Sequence, residues 1–324
     1  MGKTLICPPK YWARNPQAIV TINMSDASWN DYTVIDQEDL LEYVFKVDEW
    51  ENNKLRVSSY CIRPGVDTLN IRGFVEFLKD NYPKYVFSKK ERQEYEWPFH
   101  EAIRRSDFTD DSRYDAKLGE LVLFVLVDAI LDLPMVSHKI SLTQEPVQPV
   151  KGSDGLFFGE FQGEESIAFG ESKIYTNRNS GLGDALESTS RFEESYATTK
   201  TNHELRVARK GLSEDLSAED AIRVADAMYE NPGSYRRVFP IFLGYEEEWM
   251  EEIQYSATSS EELEQEIKHR ITEAGIEDDV LSKIRSDYEE LQKSWLVFFM
   301  FPLEDVDKFR QNLQEAIFPH STKD

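Results

Sequence analysis

Cysteine is nearly absent from this sequence, since only Cys7 and Cys61 occur among its 324 residues. The two form no C-x-x-C pair and have no histidine at a zinc-ligand spacing, so we expect neither a disulfide framework nor a zinc site. The longest apolar run, residues 121–127, is far shorter than the ~20 residues of a membrane-spanning helix. The N-terminus lacks the basic and then apolar segments of a secretory signal. We therefore expect a reduced, cytoplasmic protein with no membrane association.

Positive charge is also scarce. The sequence has 37 Lys and Arg against 61 Asp and Glu, which gives a net charge of −24 at pH 7. A protein that binds nucleic acid unaided normally uses Lys and Arg to displace counterions from the phosphates. Either the substrate is not nucleic acid, or the charge is unevenly spread, or a partner supplies the binding surface. The charge is uneven, because residues 245–290 contain sixteen acidic and four basic side chains.

Several common catalytic signatures are missing. There is no G-x-S-x-G, no G-x-x-x-x-G-K-[ST] phosphate loop, and His203-Glu204 lacks the second histidine of H-E-x-x-H. The five histidines are scattered along the chain, and the glycines at 181 and 183 are too few for a nucleotide-binding loop. We therefore expect that this chain does not itself hydrolyse ATP.

The hydrophobic pattern predicts an α/β fold. The first 35 residues show no clear period. Strands are expected within residues 42–60, at 155–161, 166–175, 237–243 and 295–301, and a short one at 138–142. Helices are expected at 71–82, 114–133, from 177 to about 229, within 245–290 and at 306–317, with a helix or connector at 80–96 and a loop at 144–150. The helix at 114–133 is apolar nearly all round, which predicts that it is buried and ends before Pro134. This alternation favours a mixed central sheet flanked by helices.

Two short motifs carry the candidate chemistry. The run K-G-S-D-G at residues 151–155 contains Asp154, and G-E-S-K at residues 170–173 contains Glu171 and Lys173. Glu171 and Lys173 point to the same face of a strand because strand side chains alternate. The predicted hairpin of 155–161 and 166–175 brings Asp154 beside them. Two carboxylates with open water positions suit Mg²⁺ (or Mn²⁺), and an adjacent ammonium suits the hydrolysis of a phosphodiester.

Glu120 is a possible third carboxylate. It stands just before the apolar stretch of the helix at 114–133, where a buried glutamate needs a partner such as a metal or Lys173. Other interpretations stay open. Glu120 is also consistent with a charge at the helix N-terminus. Glu171 and Lys173 are consistent with a surface ion pair, although the apolar residues around them argue against it.

The motifs around Glu120, Asp154, Glu171 and Lys173 resemble the HamA family, the nuclease subunits of the Hachiman antiphage system. The strand at 238–243 and the run W-L-V-F-F-M-F-P at 295–302 also fit that family, and the resemblance spans roughly residues 40–318. It implies a PD-(D/E)xK, restriction-endonuclease-like DNA nuclease that forms a heterodimer with a helicase partner. Asp154 and Glu171 would bind metal, Lys173 would be catalytic and Glu120 would support them. Ser153 replaces the usual proline of the motif.

The resemblance also implies a division of the chain. We expect an N-terminal region at 1–112, a nuclease domain with helical insertions at 113–318 and a short tail at 319–324. The expected DNA contacts are the bases that follow the catalytic strand, namely Arg178, Lys200, Arg206, Arg209 and Lys210. A helicase partner would explain the acidic charge, and residues 245–290 would dock on it, cover a basic surface of this chain, or form a solvated helical face. Alternatives are a non-catalytic subunit that binds DNA or a helicase, and an RNase of the same fold.

Overall fold

A seven-stranded mixed sheet forms the centre of the fold in the computed structural model, which describes residues 28–66, 68–106, 112–137, 153–196, 212–230 and 232–318. The strands are β1 Val44–Asn52, β2 Leu55–Ile62, β3 Met135–Ser137, β4 Gly155–Phe161, β5 Glu164–Tyr175, β6 Arg236–Glu246 and β7 Trp295–Leu303. Their order across the sheet is β1-β2-β7-β6-β5-β4-β3. The pairs from β2 through β7 and β6 to β5 are parallel, and the outer pairs at both edges are antiparallel.

Helices cover both faces of this sheet. They are α1 Gln37–Leu41, α2 Ile71–Val86, α3 Lys89–Glu94, α4 Pro98–Ser106, α5 Ser112–Leu131, α6 Arg178–Tyr196, α7 Ala218–Ala225, α8 Trp249–Ser256, α9 Ser260–Glu273, α10 Ile276–Asp287 and α11 Val306–Ile317. Helix α5 packs on β5 and β6 and is flanked by α2 and α11, whereas α6 packs on the same two strands. Side chains that alternate along β5 contact α5 and α6 in turn, so these two helices lie on opposite faces.

The centre of the sheet is buried on both faces, as a parallel sheet covered by helices requires. Every residue of β7 after Trp295 is buried, with Phe298, Phe299 and Phe301 almost fully enclosed. In α5, residues 118–129 are all buried. This confirms the prediction of an apolar, buried helix. No helix among the described residues is long and apolar enough to cross a membrane.

The predicted fold class is confirmed, an α/β arrangement with a mixed sheet flanked by helices. The β4–β5 hairpin is also confirmed, and its two-residue turn has positive φ at Gln162 (51°) and Gly163 (78°), as a type I′ turn requires. The short strand β3 lies just before the predicted 138–142. The whole of that predicted strand, and the loop at 144–150, lie outside the described residues.

Three boundaries differ from the prediction. Strand β6 does not stop at Gly244, because Gly244 pairs with Ile174 on one side and Phe301 on the other, and these two ladders hold it in the sheet. Helix α2 continues through Pro83 to Val86, so the segment at 80–96 is divided between α2 and α3. In the expected irregular leader, Trp29 begins a 3₁₀ turn whose ring packs on Phe158.

Candidate metal and catalytic site

The β4–β5 hairpin brings Asp154 next to the Glu-x-Lys motif. Asp154 directly precedes β4, and its backbone N–H donates to the carbonyl of Gly170 at 2.7 Å. Gly155 pairs with Gly170 in the register of the hairpin, so Asp154 lies opposite Glu171. Gly170 also allows the strand to approach α5 closely, since a Cβ there would come within 2.7 Å of the Leu123 side chain. The sequence therefore assembles these residues through one tight pairing.

Ser172, between the two charged residues of the motif, holds the Asp154 carboxylate. Its backbone N–H and its hydroxyl both donate to Asp154 Oδ2, each at 2.8 Å. The Ser172 side chain faces α5, because a Cβ at Gly119 of that helix would lie 3.1 Å from Ser172 Oγ. A carboxylate that accepts two such bonds is fixed in orientation before any ligand binds. Sequence patterns gave no signal for this role, because a serine inside a strand is common.

Glu171 and Lys173 form an ion pair on the α6 face of β5, in which Glu171 is buried and Lys173 is partly buried. Lys173 Nζ lies 2.6 Å from Glu171 Oε1, and the two side chains are 23% and 8% exposed, respectively. The hydroxyl of Ser188 on α6 also hydrogen-bonds Glu171. Burial, followed by the nearby Asp154 carboxylate, raises the pKa of Glu171 above its ordinary range. Burial alone would lower the pKa of Lys173, but Glu171 outweighs it and the pKa of this ammonium is raised.

Glu120 lies in the middle of α5, not at its start, because that helix begins at Ser112. The interpretation of Glu120 as a charge at the helix N-terminus is therefore wrong. Its Oε2 accepts a hydrogen bond of 2.6 Å from the hydroxyl of Tyr85 at the end of α2. Burial and the Glu120 carboxylate raise the pKa of Tyr85 well above its usual range, and Asp154 contributes to the same shift. Glu120 and Asp154 thus share the electrostatic environment of Tyr85.

These residues fit a divalent cation with few protein ligands. Within the described ranges, no three His, Cys, Asp or Glu side chains are arranged as a metal site. Mg²⁺ is commonly held by one or two carboxylates together with waters and substrate phosphate, whereas zinc sites need three or four protein ligands. Burial and, after it, the nearby Asp154 carboxylate disfavour the charged form of Glu171 and raise its pKa. A cation between them would relieve that repulsion.

The comparison with known families agrees with the resemblance seen in the sequence. Residues 36–317 match the HamA family, a span that contains the whole sheet and the four candidate residues. The chain belongs to the HamA family. It is therefore a component of the Hachiman antiphage defence system. No curated protein matches the chain.

Of the five residues expected to contact DNA in this HamA-family chain, the structure describes Arg178 alone. Lys200, Arg206, Arg209 and Lys210 lie outside the described residues. The structure does not leave Arg178 free to contact DNA as expected. Its side chain is 19% exposed and pairs with Glu247 at 3.5 Å and Asp279 at 2.8 Å. Its guanidinium also lies 5.7 Å from the centre of the Tyr245 ring. These contacts indicate a structural role that joins α6 to β6 and α10.

A different arginine lies close to the candidate site. Arg191 is on α6, and its Nη2 is 3.4 Å from Oγ of Ser188, the residue that hydrogen-bonds Glu171. The Arg191 side chain is 68% exposed, and its Nε is 3.9 Å from Glu187. Sequence reasoning missed Arg191 because nothing in the pattern shows which turn of α6 lies over the Glu-x-Lys motif. The i, i+3 spacing of Ser188 and Arg191 places them on one face of the helix.

Proposed function

We propose that this HamA-family chain is a metal-dependent DNA nuclease of the PD-(D/E)xK type. One observation carries the proposal: Asp154 and the ion pair of buried Glu171 with Lys173 meet where β4 and β5 pair. Burying a carboxylate beside another carboxylate is costly unless it has a task, and here the cost is visible in the raised pKa of Glu171. Asp154 and Glu171 would hold Mg²⁺ (or Mn²⁺), with Glu120 as a supporting carboxylate.

Each residue then has a distinct role. When bound, the metal supplies an activated water and neutralises charge on the phosphate. Lys173 lies within hydrogen-bonding distance of Glu171, so its ammonium can orient that water and stabilise negative charge on the reacting phosphoryl group. Ser172 fixes the direction of Asp154 by its two hydrogen bonds. Glu120 acts through Tyr85, because its carboxylate accepts a hydrogen bond from the Tyr85 hydroxyl.

The proposal includes an ATP-driven helicase partner that forms a heterodimer with this chain. Two observations support it. The sequence has no phosphate loop of its own, and the net charge of −24 disfavours binding of free DNA. A partner that unwinds and delivers DNA would supply both the ATPase and the basic surface. Arg191 would then contact the DNA backbone beside the site, because it is exposed and one helical turn from Ser188.

The test is cleavage of plasmid and linear DNA with Mg²⁺, with and without the co-encoded helicase and ATP. We compare the wild type with Glu171→Gln and Lys173→Ala. The matched control is the double variant Glu76→Gln/Lys79→Ala, which removes an exposed Glu–Lys pair of 2.8 Å on α2. We expect cleavage that requires Mg²⁺, is lost in both site variants and persists in the control.

Two results would contradict the proposal. Cleavage of RNA but not of DNA by the same residues would identify an RNase of this fold. A complete absence of cleavage, with defence in cells unaffected by Glu171→Gln and Lys173→Ala, would leave a non-catalytic subunit that binds DNA or the helicase. Circular dichroism of each variant shows that a loss of activity does not come from unfolding.

A further inference from the structure

A groove outside the candidate site lies between the loop before α2 and the helices α8 and α9. Its volume is about 570 Å³. Leu69 and Leu263 are buried and form part of its apolar floor. The rim is held in place by Gln254 of α8, whose Oε1 accepts the backbone N–H of Leu69 at 2.9 Å. The groove is therefore built from elements that are joined to each other and not from a loop alone.

The rim of this groove exposes large apolar side chains. Val66 is 93% exposed and Tyr255 is 85% exposed, and both line the groove. Among the described residues, the other large apolar side chains with high exposure are Trp97 and Ile222. Two of these four side chains thus border a single cavity. Apolar side chains that rim a cavity are typical of a surface that binds another molecule.

The charge around the groove indicates what that molecule is. Glu251 and Glu304 line it, and the one base among its lining residues, Lys308, lies 3.8 Å from Glu304. Glu252 and Glu261 are exposed on the same two helices, α8 and α9. A negative surface repels nucleic acid and attracts a cationic partner. A groove that exposes apolar side chains at its rim and is lined by two carboxylates against one base therefore fits a polypeptide that carries both apolar and basic side chains.

The groove is distinct from the candidate metal site. Ile71, which lines the groove, is the first residue of α2, whereas Tyr85, which contacts Glu120, is near the end of that helix. Fourteen residues of an α-helix separate these two positions by roughly 21 Å. The groove therefore has no part in the chemistry proposed above, and its assignment does not depend on that chemistry.

We propose that this groove binds a linear polypeptide segment. The segment inserts an apolar side chain between Val66 and Tyr255 and places a Lys or Arg next to Glu251 of α8. Because apolar side chains and this carboxylate both line the groove, both features of the segment are needed for binding. Neither a purely basic nor a purely apolar segment satisfies the surface.

The test starts with selection of random linear peptides on the immobilised full-length chain. Binding of the enriched peptides is then measured by fluorescence anisotropy. We expect enriched sequences with an apolar residue beside Lys or Arg, and dissociation constants at least tenfold weaker for Val66→Ser/Tyr255→Ser. Trp97→Ser removes another exposed aromatic side chain, which is 64% exposed, and should leave the dissociation constant unchanged.

A second variant tests the charge. Glu251→Lys/Glu252→Lys changes two exposed acids of α8, and we expect weaker binding together with a smaller dependence on salt. Several outcomes would overturn the proposal: no enrichment, enriched peptides without basic residues, or equal binding to the Val66→Ser/Tyr255→Ser variant. Self-association of the wild type that this variant abolishes would assign the groove to a second copy of the chain instead.

Discussion

Replacing Asp128 with asparagine should remove a pH dependence from the stability of this protein. Asp128 of α5 is 1% exposed, and its Oδ1 accepts the backbone N–H groups of Val34 and Ile35 at 2.8 and 2.7 Å. Its Oδ2 is buried with no hydrogen-bond partner in the described parts of the chain. Burial raises the pKa of Asp128 to about 7, although the two amides and then Lys84 oppose the shift. The carboxyl is therefore protonated in the folded state at pH 5.

The size of the effect follows from this shift. In the unfolded chain the carboxyl titrates near 3.8, so between the two pKa values the folded state binds more protons than the unfolded state. The free energy of unfolding therefore falls as pH rises through this window, and it levels off above about pH 8. The total loss is about 4 kcal/mol, and more than half of it falls between pH 5 and pH 8. Asparagine keeps the carbonyl acceptor and carries no charge, so Asp128→Asn should not show this loss.

Urea unfolding at pH 5, 6, 7 and 8, in EDTA to keep the candidate metal site out of the measurement, gives the free energies directly. The control is Asp132→Asn, which removes an exposed carboxylate just after the same helix and keeps a residue that tolerates its φ of 53°. It should follow the wild type with a slightly smaller fall in stability, because the Asp132 carboxylate contributes a little to the raised pKa of Asp128. If the wild type and Asp128→Asn lose stability in parallel from pH 5 to pH 8, then Asp128 is already ionised in the folded state and the reasoning is refuted.

Three further predictions concern the candidate site. Lys173→Ala should lower the rate of DNA cleavage by roughly 10²–10³-fold, because a positioned cation is lost; single-turnover kinetics measures this, and an unchanged rate would contradict it. Ser172→Ala removes one of two hydrogen bonds to Asp154 and should raise the Mg²⁺ concentration for half-maximal cleavage by about tenfold, as a titration shows. Arg191→Ala should reduce the salt slope of DNA binding by about one. Arg104→Ala, at a side chain that is 75% exposed on α4, should not change that slope.

The sequence predicted the hairpin and its two motifs well, because both depend on short-range patterns. Apolar runs within 155–161 and 166–175 favour the strands, and the polar pair Gln162–Gly163 allows the turn between them. The pairing of Gly155 with Gly170 then fixes which residue faces Asp154. Gly244 shows the limit of this reasoning. Glycine weakens a strand and was therefore expected to end this one. In the structure, β5 and β7 pair with β6 on both sides of Gly244 and keep it in the sheet.

The supporting contacts of the site could not be predicted because they join distant parts of the chain. Tyr85 is 35 residues from Glu120, and no periodic pattern connects a tyrosine near the end of α2 with a glutamate inside α5. The same limit explains the choice of Arg178. Its acidic partners Glu247 and Asp279 follow it by 69 and 101 residues, so the sequence alone could not show that its charge is compensated.

The uneven charge of the chain now has a structural explanation. The segment at 245–290 has sixteen acidic and four basic residues, so it carries −12 of the net charge of −24. It forms the end of β6 and the helices α8, α9 and α10. The bases Lys173 and Arg191 lie elsewhere, on β5 and α6. Helix α6 is itself acidic, with Arg178 and Arg191 against four carboxylates (Asp184, Glu187, Glu193 and Glu194). Under the proposed function, this negative surface would repel free nucleic acid, and access to the site would depend on how a partner delivers it.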